Sequence, residues 1–226
     1  MMMKIHDRLD AVHENIALAC QRAGRASGEV TLIGVSKTHP AEAVRQAHEA
    51  GLRDFGENRV QEWRDKAPSC PDGIFWHMIG QCQSNKVKYI VPQISLIHSL
   101  DRLSLAVAIE EAGKRFGRPV CALVQINLGQ GDARGGIAPE QVSEFLERLA
   151  YFRFVHVVGL MVLPPPNQAP QALAQHLARG YDLFSKARVT HRDIEILSMG
   201  MSDDYALAIE HGATHVRVGS AIFGDR

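Results

Sequence analysis

The stretch VTLIGVSKTHP, residues 30–40, contains the unit that decides the fold. A short run rich in β-branched residues ends at Lys37, and Pro40 then suits the first position of a helix. The same unit, a short apolar run followed by a longer helical pattern, recurs along the chain. The runs lie at residues 30–36, 52–56, 74–80, 94–100, 120–128, 154–163, 193–200 and 214–220.

These eight runs predict a single (β/α)₈ barrel. Most are continuously apolar, as parallel strands covered on both faces should be. Helical segments separate them, with start signals at Asp101 and Pro139. The Pro-rich stretch 163–170 indicates a loop after the sixth strand. A doubly wound open sheet is the alternative. We therefore expect residues 1–226 to form one barrel domain.

An additional helix is predicted at the N-terminus. Apolar residues recur there at three-to-four spacing, at Ile5, Leu9, Val12, Ile16 and Ala19. The sequence ends at SAIFGDR, only a few residues after the eighth strand, which leaves no room for the usual final helix. We expect the N-terminal helix to cover that gap in the outer ring.

The composition favours a small-molecule partner over a polyanionic one. The 226 residues carry 25 Lys and Arg against 25 Asp and Glu, so no basic field attracts nucleic acid or an anionic membrane. No apolar run approaches the roughly 20 residues of a membrane helix. Charges throughout the N-terminus argue against export, and four scattered cysteines without a CxxC pair indicate reduced thiols in the cytoplasm.

Lys37 is the first candidate functional residue, because it ends the first predicted strand. In a barrel of this type, binding and catalytic groups gather where strands end. A lysine in the barrel mouth is partly desolvated, which favours the neutral amine that forms an imine with an aldehyde. Taken alone, however, a lysine at a strand end is more often a solvated charge.

Two turns at the ends of the last two strands suit an anion. Ser198, Gly200 and Ser202 follow the seventh strand, and Gly219 and Ser220 follow the eighth. Their backbone N–H groups and hydroxyls fit the place where this fold commonly binds phosphate. The alternative for Ser202 is that it caps a helix whose first turn contains the acidic pair at 203–204.

Arg217 lies on the eighth strand two residues before Gly219, so both share one strand face with His215. If this face points inward, the guanidinium lies inside the barrel near the phosphate site. The alternative is a structural ion pair between Arg217 and Glu57 or Asp54.

Hydrolase and zinc patterns are absent from the sequence. It contains no carboxylate pair with acid–base spacing, no GxSxG elbow and no HExxH helix. His211 and His215 stand four residues apart, but Gly212 between them indicates a helix end, so the two should not share a helical face.

Six motifs in order make the chain resemble the pyridoxal phosphate homeostasis protein family. They are GVSKTHP, FGENRVQE, HMIGQCQSNK, GLM, LSMGMSDD and AIEHGATHVRVGSAIFG. The likeness extends from about residue 5 to the C-terminus. It implies a barrel of the alanine-racemase type that holds pyridoxal 5'-phosphate (PLP) as an internal aldimine.

The resemblance also assigns residues. It implies that Lys37 carries the aldimine, that the phosphate rests on the turns Ser198–Ser202 and Gly219–Ser220, and that Arg217 lies near the pyridine nitrogen. Asn58 and Met161 would lie close to the ring. The chain departs from the family pattern at Gln81 and Cys82, and in the loop after the fifth strand, where Gly131 and Arg134 stand at the positions of an acidic residue and a lysine.

The family resemblance implies a PLP carrier or regulator in vitamin B6 homeostasis, without an established catalytic activity. An arginine at the pyridine nitrogen favours the unprotonated ring and a weak electron sink, which argues against a transaminase. A PLP-dependent amino-acid racemase is the main alternative, although it needs a second base that related racemases bring from an additional β-domain. A Schiff-base aldolase is another. PLP-dependent apoenzymes are the candidate partners, and a monomer or weak dimer is expected.

Overall fold

Eight parallel strands close into a barrel in the computed structural model, which describes residues 4–129 and 134–224. Each strand pairs with the next along the chain, and the last pairs with the first. The strands are β1 Thr31–Val35, β2 Asp54–Glu57, β3 Phe75–Met78, β4 Ile94–Leu100, β5 Val120–Asn127, β6 Val155–Leu163, β7 Ile196–Ser198 and β8 His215–Val218.

Pairing of β1 with β8 distinguishes the barrel from the open sheet. Ile33 lies opposite Arg217, and Gly34 lies opposite Val218. An open sheet would leave two unpaired edges, whereas closure removes both. The barrel prediction is confirmed. Several strands are shorter than their apolar runs: β7 begins only at Ile196, and β3 ends at Met78.

Helices surround the barrel and alternate with the strands. They are α1 Ile5–Arg22, α2 Ala41–Glu49, α3 Val60–Lys66, α4 Val87–Ile90, α5 Leu103–Phe116, α6 Val142–Leu149, α7 Pro170–Thr190, α8 Tyr205–Glu210 and α9 Ser220–Phe223. Short 3₁₀ turns occupy residues 27–29, 67–69, 84–86 and 139–141. Among the described residues, no helix is long and apolar enough to cross a membrane.

The predicted helix starts were off by one to three residues. Pro40 has extended backbone angles and precedes the first residue of α2. Pro139 opens a 3₁₀ turn that leads into α6, and the residue before α5 is Arg102. Proline fixes φ near the helical value but leaves ψ open, so its position alone does not decide on which residue the helix begins.

The N-terminal helix α1 completes the outer ring, as the sequence predicted. It packs against α2, α8 and the four-residue helix α9. Its buried face is the apolar stripe identified from spacing, with Leu9, Val12, Ile16 and Ala19 buried. The helix therefore covers the gap that the short α9 leaves beside β8.

Two apolar clusters stabilise this arrangement. The larger one fills the layer between strands and helices, and the smaller one contains Leu96, Leu123 and Met161. Met161 lines the cavity at the C-terminal mouth of the barrel, whereas Leu96 lines one at the opposite mouth. The smaller cluster therefore lies between the two mouths.

Close approach of β6 and β7 requires glycine at position 159. A Cβ atom there would lie 2.0 Å from the carbonyl oxygen of Ile196 on the neighbouring strand. We predict that Gly159→Ala lowers the free energy of unfolding by about 3 kcal/mol, since the strands must separate to accept the methyl group. Urea unfolding followed by circular dichroism measures this.

The matched control is Gly28→Ala, because a Cβ at Gly28 meets no atom within 4 Å. Its free energy of unfolding should stay close to that of the wild-type chain. Equal stability of both variants would contradict the close packing of β6 against β7.

Candidate functional site

A cavity of about 680 Å³ opens at the C-terminal ends of the strands. Most of the residues proposed from the sequence contribute to its wall, although they come from distant parts of the chain. These are Lys37, Asn58, Met161, Ser202, Arg217, Gly219 and Ser220. Ser198 and Gly200 lie behind this wall, and Ser198 is fully buried.

Lys37 is half-buried in the turn that follows β1. The backbone on both sides of it is held by two side chains of α3. Lys66 donates from Nζ to the carbonyl oxygen of Ser36 at 2.7 Å, and the N–H of Thr38 donates to Oε1 of Glu62. Thr38 has a positive φ of 67°, which turns the chain sharply after Lys37. The direction of Lys37 is therefore set by its neighbours.

Lys66 and Glu57 form a buried ion pair beneath this turn. Nζ of Lys66 lies 2.6 Å from Oε1 of Glu57 and 3.1 Å from Oε1 of Glu62. Ser36 donates from Oγ to the same Glu57 oxygen at 2.7 Å. Burial raises the pKa of Glu57, while the hydrogen bonds from Lys66 and Ser36 act against that rise. The three donors of the Lys66 ammonium match three acceptors, so this lysine is bound as a cation.

The turns after β7 and β8 contact each other. The backbone N–H of Gly219 donates to Oγ of Ser202 at 3.0 Å. The residue before α8 is Asp204, not Ser202, so the alternative that Ser202 caps this helix is wrong. The helix also begins after both acidic residues instead of including them in its first turn. Asp204 makes no side-chain cap hydrogen bond either, because its carboxylate accepts from the N–H of Met201, three residues before it.

Gly200 permits the turn after β7. Its φ is 93°, and a Cβ there would lie 2.6 Å from Cβ of Ala208 in α8. The N–H groups of Asp204 and Tyr205 close the turn by donating to the carbonyl of Met201. The intervening N–H groups of residues 202 and 203 take no part in these bonds, and their residues line the cavity.

Arg217 is buried and borders the same cavity. Its Nη1 donates to Oγ of Ser198 at 2.8 Å, whereas Nη2 has no hydrogen-bond partner within the part of the chain that the structure describes. Burial lowers the pKa of Arg217 to about 10, although Asp204 opposes the shift. A buried guanidinium with an unused N–H group can donate to an acceptor on a ligand.

The structure does not contain the ion pair that was the alternative for Arg217. Glu57 bonds Lys66 instead, and Asp54 lies 2.9 Å from Nε2 of His77. Both carboxylates thus have other partners. Strand alternation indicated that Arg217, Glu57 and Asp54 lie inside or beside the barrel, but it could not decide which side chains form ion pairs with each other.

Asn58 and Gly80 form another part of the wall. A Cβ at Gly80 would lie 2.3 Å from the carbonyl oxygen of Asn58, so only glycine lets these two backbones approach. Asn58 does not cap α3, because the residue before that helix is Arg59.

Sequence reasoning missed several residues of the wall, among them His39 and Gln125. His39 stacks near Phe223, with ring centroids 5.3 Å apart. Gln125 donates to the carbonyl of Arg134 at 2.9 Å, and Arg134 donates to the carbonyl of Pro164 at 2.7 Å. A polar residue within the apolar run 120–128 was the available signal for Gln125. Gly131 lies outside the described residues.

The wall combines three functions that suit one ligand. Lys37 supplies an amine, Arg217 supplies a buried donor without a partner in the described chain, and the turns at 202–203 and 219–220 supply backbone N–H and hydroxyl groups, of which the Gly219 N–H is held by Ser202. An aldehyde, a ring acceptor and a phosphate would match these groups, and PLP carries all three. The residues present therefore fit PLP.

The fold and this wall define a barrel of the alanine-racemase type. The family model for the alanine racemase N-terminal domain matches residues 8–226, and the chain belongs to that family. Alanine racemase from Clostridium difficile shares the fold, with a TM-score of 0.74 at 17% identity; the likeness covers 99% of this chain and 57% of that one.

Within this class the chain belongs to the pyridoxal phosphate homeostasis proteins. The protein of that name from Aquifex aeolicus is 39% identical over 226 residues, covering 99% of each chain. The Escherichia coli K12 protein is 35% identical, covering 100% of this chain and 98% of that one. The structure of PipY from Synechococcus elongatus PCC7942 with PLP bound has a TM-score of 0.85 at 33% identity, covering 98% of this chain and 100% of that one.

Removal of the Lys66 ammonium should destabilise the fold strongly. We predict that Lys66→Met lowers the free energy of unfolding by about 3–5 kcal/mol, because it leaves the Glu57 carboxylate buried without its cation. Urea unfolding at neutral pH measures the loss. Lys114→Met, at an exposed position of α5, is the control and should change stability by less than about 0.5 kcal/mol. Similar losses in both variants would contradict the account of the ion pair.

Proposed function

We propose that this protein binds PLP through an imine to Lys37 and acts in intracellular PLP homeostasis. The observation that carries the proposal is one cavity in which the half-buried Lys37 shares a wall with the buried Arg217, whose Nη2 has no partner in the described chain. PipY, which is similar over nearly the whole chain, has been solved with PLP bound.

Lys37, not Lys66, is the proposed attachment point. The Lys66 ammonium lies within hydrogen-bond distance of Ser36, Glu57 and Glu62, so it has no free electron pair for an aldehyde carbon. Lys37 instead borders the cavity. Condensation of its neutral amine with the aldehyde forms the C=N bond and releases one water molecule.

The remaining residues have two proposed roles. Ser202, Gly219 and Ser220 would bind the phosphate with their backbone and hydroxyl groups, and Asn58 and Met161 would lie beside the ring. Ser198 and Gly200 would act from behind the wall: the Ser198 hydroxyl accepts from Arg217, and Gly200 shapes the phosphate turn.

The proposed role is that of a carrier or regulator, without catalytic turnover. Arg217 supports it, because a permanently charged donor at the pyridine nitrogen keeps that nitrogen unprotonated and weakens electron withdrawal. The names of the relatives agree with a homeostatic role. We further propose one domain over residues 1–226, a cytoplasmic location, a monomer or weak dimer, PLP-dependent apoenzymes as partners, and no nucleic-acid partner.

The absorption spectrum of protein saturated with PLP tests the binding proposal. We expect a visible imine band, its loss on borohydride reduction, and a labelled peptide that contains Lys37. A label confined to Lys66 would contradict the assignment, and a colourless protein after saturation would contradict PLP binding.

Substitution of Lys37 tests imine formation separately from folding. We predict that Lys37→Ala abolishes the imine band while the circular-dichroism spectrum stays that of the wild-type barrel, because a half-buried lysine beside a cavity contributes little packing. Lys114→Ala should retain the band. Sustained formation of the opposite enantiomer when the PLP-loaded protein is incubated with single amino acids would overturn the proposal of no turnover.

A further inference from the structure

A line of four hydrogen bonds runs through the barrel interior from Arg217 to Asp54. Oγ of Ser198 lies 2.8 Å from Nη1 of Arg217 and 3.1 Å from Nδ1 of His98. Nε2 of His98 lies 3.0 Å from Nδ1 of His77, and Nε2 of His77 lies 2.9 Å from Oδ1 of Asp54. This line, which we call the interior chain, uses residues of β2, β3, β4, β7 and β8.

The interior chain joins the two mouths of the barrel. Arg217 borders the cavity at the C-terminal mouth, whereas Asp54 and His77 border a second cavity of about 460 Å³ at the N-terminal mouth. His98 and Ser198 in the middle are fully buried. Asp54 is partly exposed, so its carboxylate keeps contact with water.

The groups at the two ends restrict the bonds to two arrangements, and the acceptor available to the Ser198 proton distinguishes them. A guanidinium can only donate, and an ionised carboxylate can only accept. Ser198 therefore accepts from Arg217 and donates its own proton to Nδ1 of His98. His98 then donates from Nε2 to His77, and His77 donates from Nε2 to Asp54. In this arrangement both histidines would be neutral and carry their proton on Nε2.

The reverse arrangement would leave a buried proton without an acceptor. If His77 were cationic, its Nδ1–H would point at His98, and His98 would donate from Nδ1 to Ser198. The Ser198 hydroxyl would then accept from both Arg217 and His98, and its own proton would have no acceptor in the interior chain. A buried proton without an acceptor costs free energy. Burial, together with the positive charge of Arg217 and neighbouring imidazoles, also holds the pKa of His98 well below its usual value.

We propose that Ser198, His98 and His77 are positioning residues that fix the guanidinium of Arg217 for the ring nitrogen of the cofactor. The proposal rests on the proposed function and deepens it. Because Ser198 donates its hydroxyl proton to His98, a lone pair of its Oγ faces Nη1 of Arg217. Nη2 of Arg217 is left to donate to the ligand. Without that acceptor, the guanidinium of Arg217 loses the one side-chain hydrogen bond that orients it within the described chain.

Ring ¹⁵N NMR of the ligand-free protein tests the direction of the interior chain. We expect the resonances of His77 and His98 to show neutral rings with the proton on Nε2 at neutral pH. Assignment follows from the resonances lost in His77→Gln and His98→Gln. A cationic His77, or a proton on Nδ1 of either ring, would overturn the proposal whether or not PLP binds.

A pair of buried serines tests the positioning of Arg217. Ser198→Ala removes the acceptor of Arg217, whereas Ser99→Ala removes a buried hydroxyl that has no hydrogen-bond partner in the described chain. We expect about tenfold weaker PLP binding and a shifted imine band for Ser198→Ala, with both properties unchanged for Ser99→Ala. Equal affinities and bands in the two variants would overturn the proposal.

Substitutions of His77 separate the hydrogen bonds from packing. A glutamine can accept through its oxygen and donate through its nitrogen, so His77→Gln should keep the direction of the chain and most of the PLP affinity. His77→Leu cannot do either and should weaken binding. Equal loss in both variants would show a merely structural role. A wild-type chain that binds no PLP would contradict the proposed function, whereas wild-type affinity in Ser198→Ala contradicts this inference alone.

Discussion

Pairing of the first strand with the last is the constraint on which the site depends. Ile33 of β1 lies opposite Arg217 of β8, so Lys37 and Gly219, which follow these two strands, emerge side by side although about 180 residues separate them. Lys37, Arg217 and the turn at 219–220 therefore line one cavity wall. An open sheet would place β1 and β8 in a different relation, and no single cavity would collect these groups.

Two buried cations near the cavity have opposite environments. Lys66 is paired with Glu57 and holds the backbone before Lys37, so its charge is compensated within the protein. Arg217 has a hydroxyl partner on one nitrogen and none in the described chain on the other. Because a buried guanidinium N–H without an acceptor is costly, its retention beside a cavity is more readily explained by a ligand acceptor than by stability. The first cation maintains the site, and the second is available to bind.

Sequence patterns predicted the barrel, the extra N-terminal helix and several of the wall residues, because strand alternation and strand ends depend on local periodicity. They could not predict which side chains form hydrogen bonds or ion pairs with each other. Ser202 looked like a helix cap, yet its hydroxyl accepts from Gly219, a contact that exists only after β7 and β8 are in place. Lys66 and His98 drew no functional attention from the sequence, since their roles depend on strands and helices distant along the chain.

The most direct measurement is a crystal structure of this protein grown with PLP. The account predicts continuous density between Nζ of Lys37 and the aldehyde carbon, the phosphate against the turns at 202–203 and 219–220, and Nη2 of Arg217 within hydrogen-bond distance of the ring nitrogen. Ser198 should still accept from Nη1. A phosphate bound elsewhere, or a ring nitrogen that does not contact Arg217, would contradict the account.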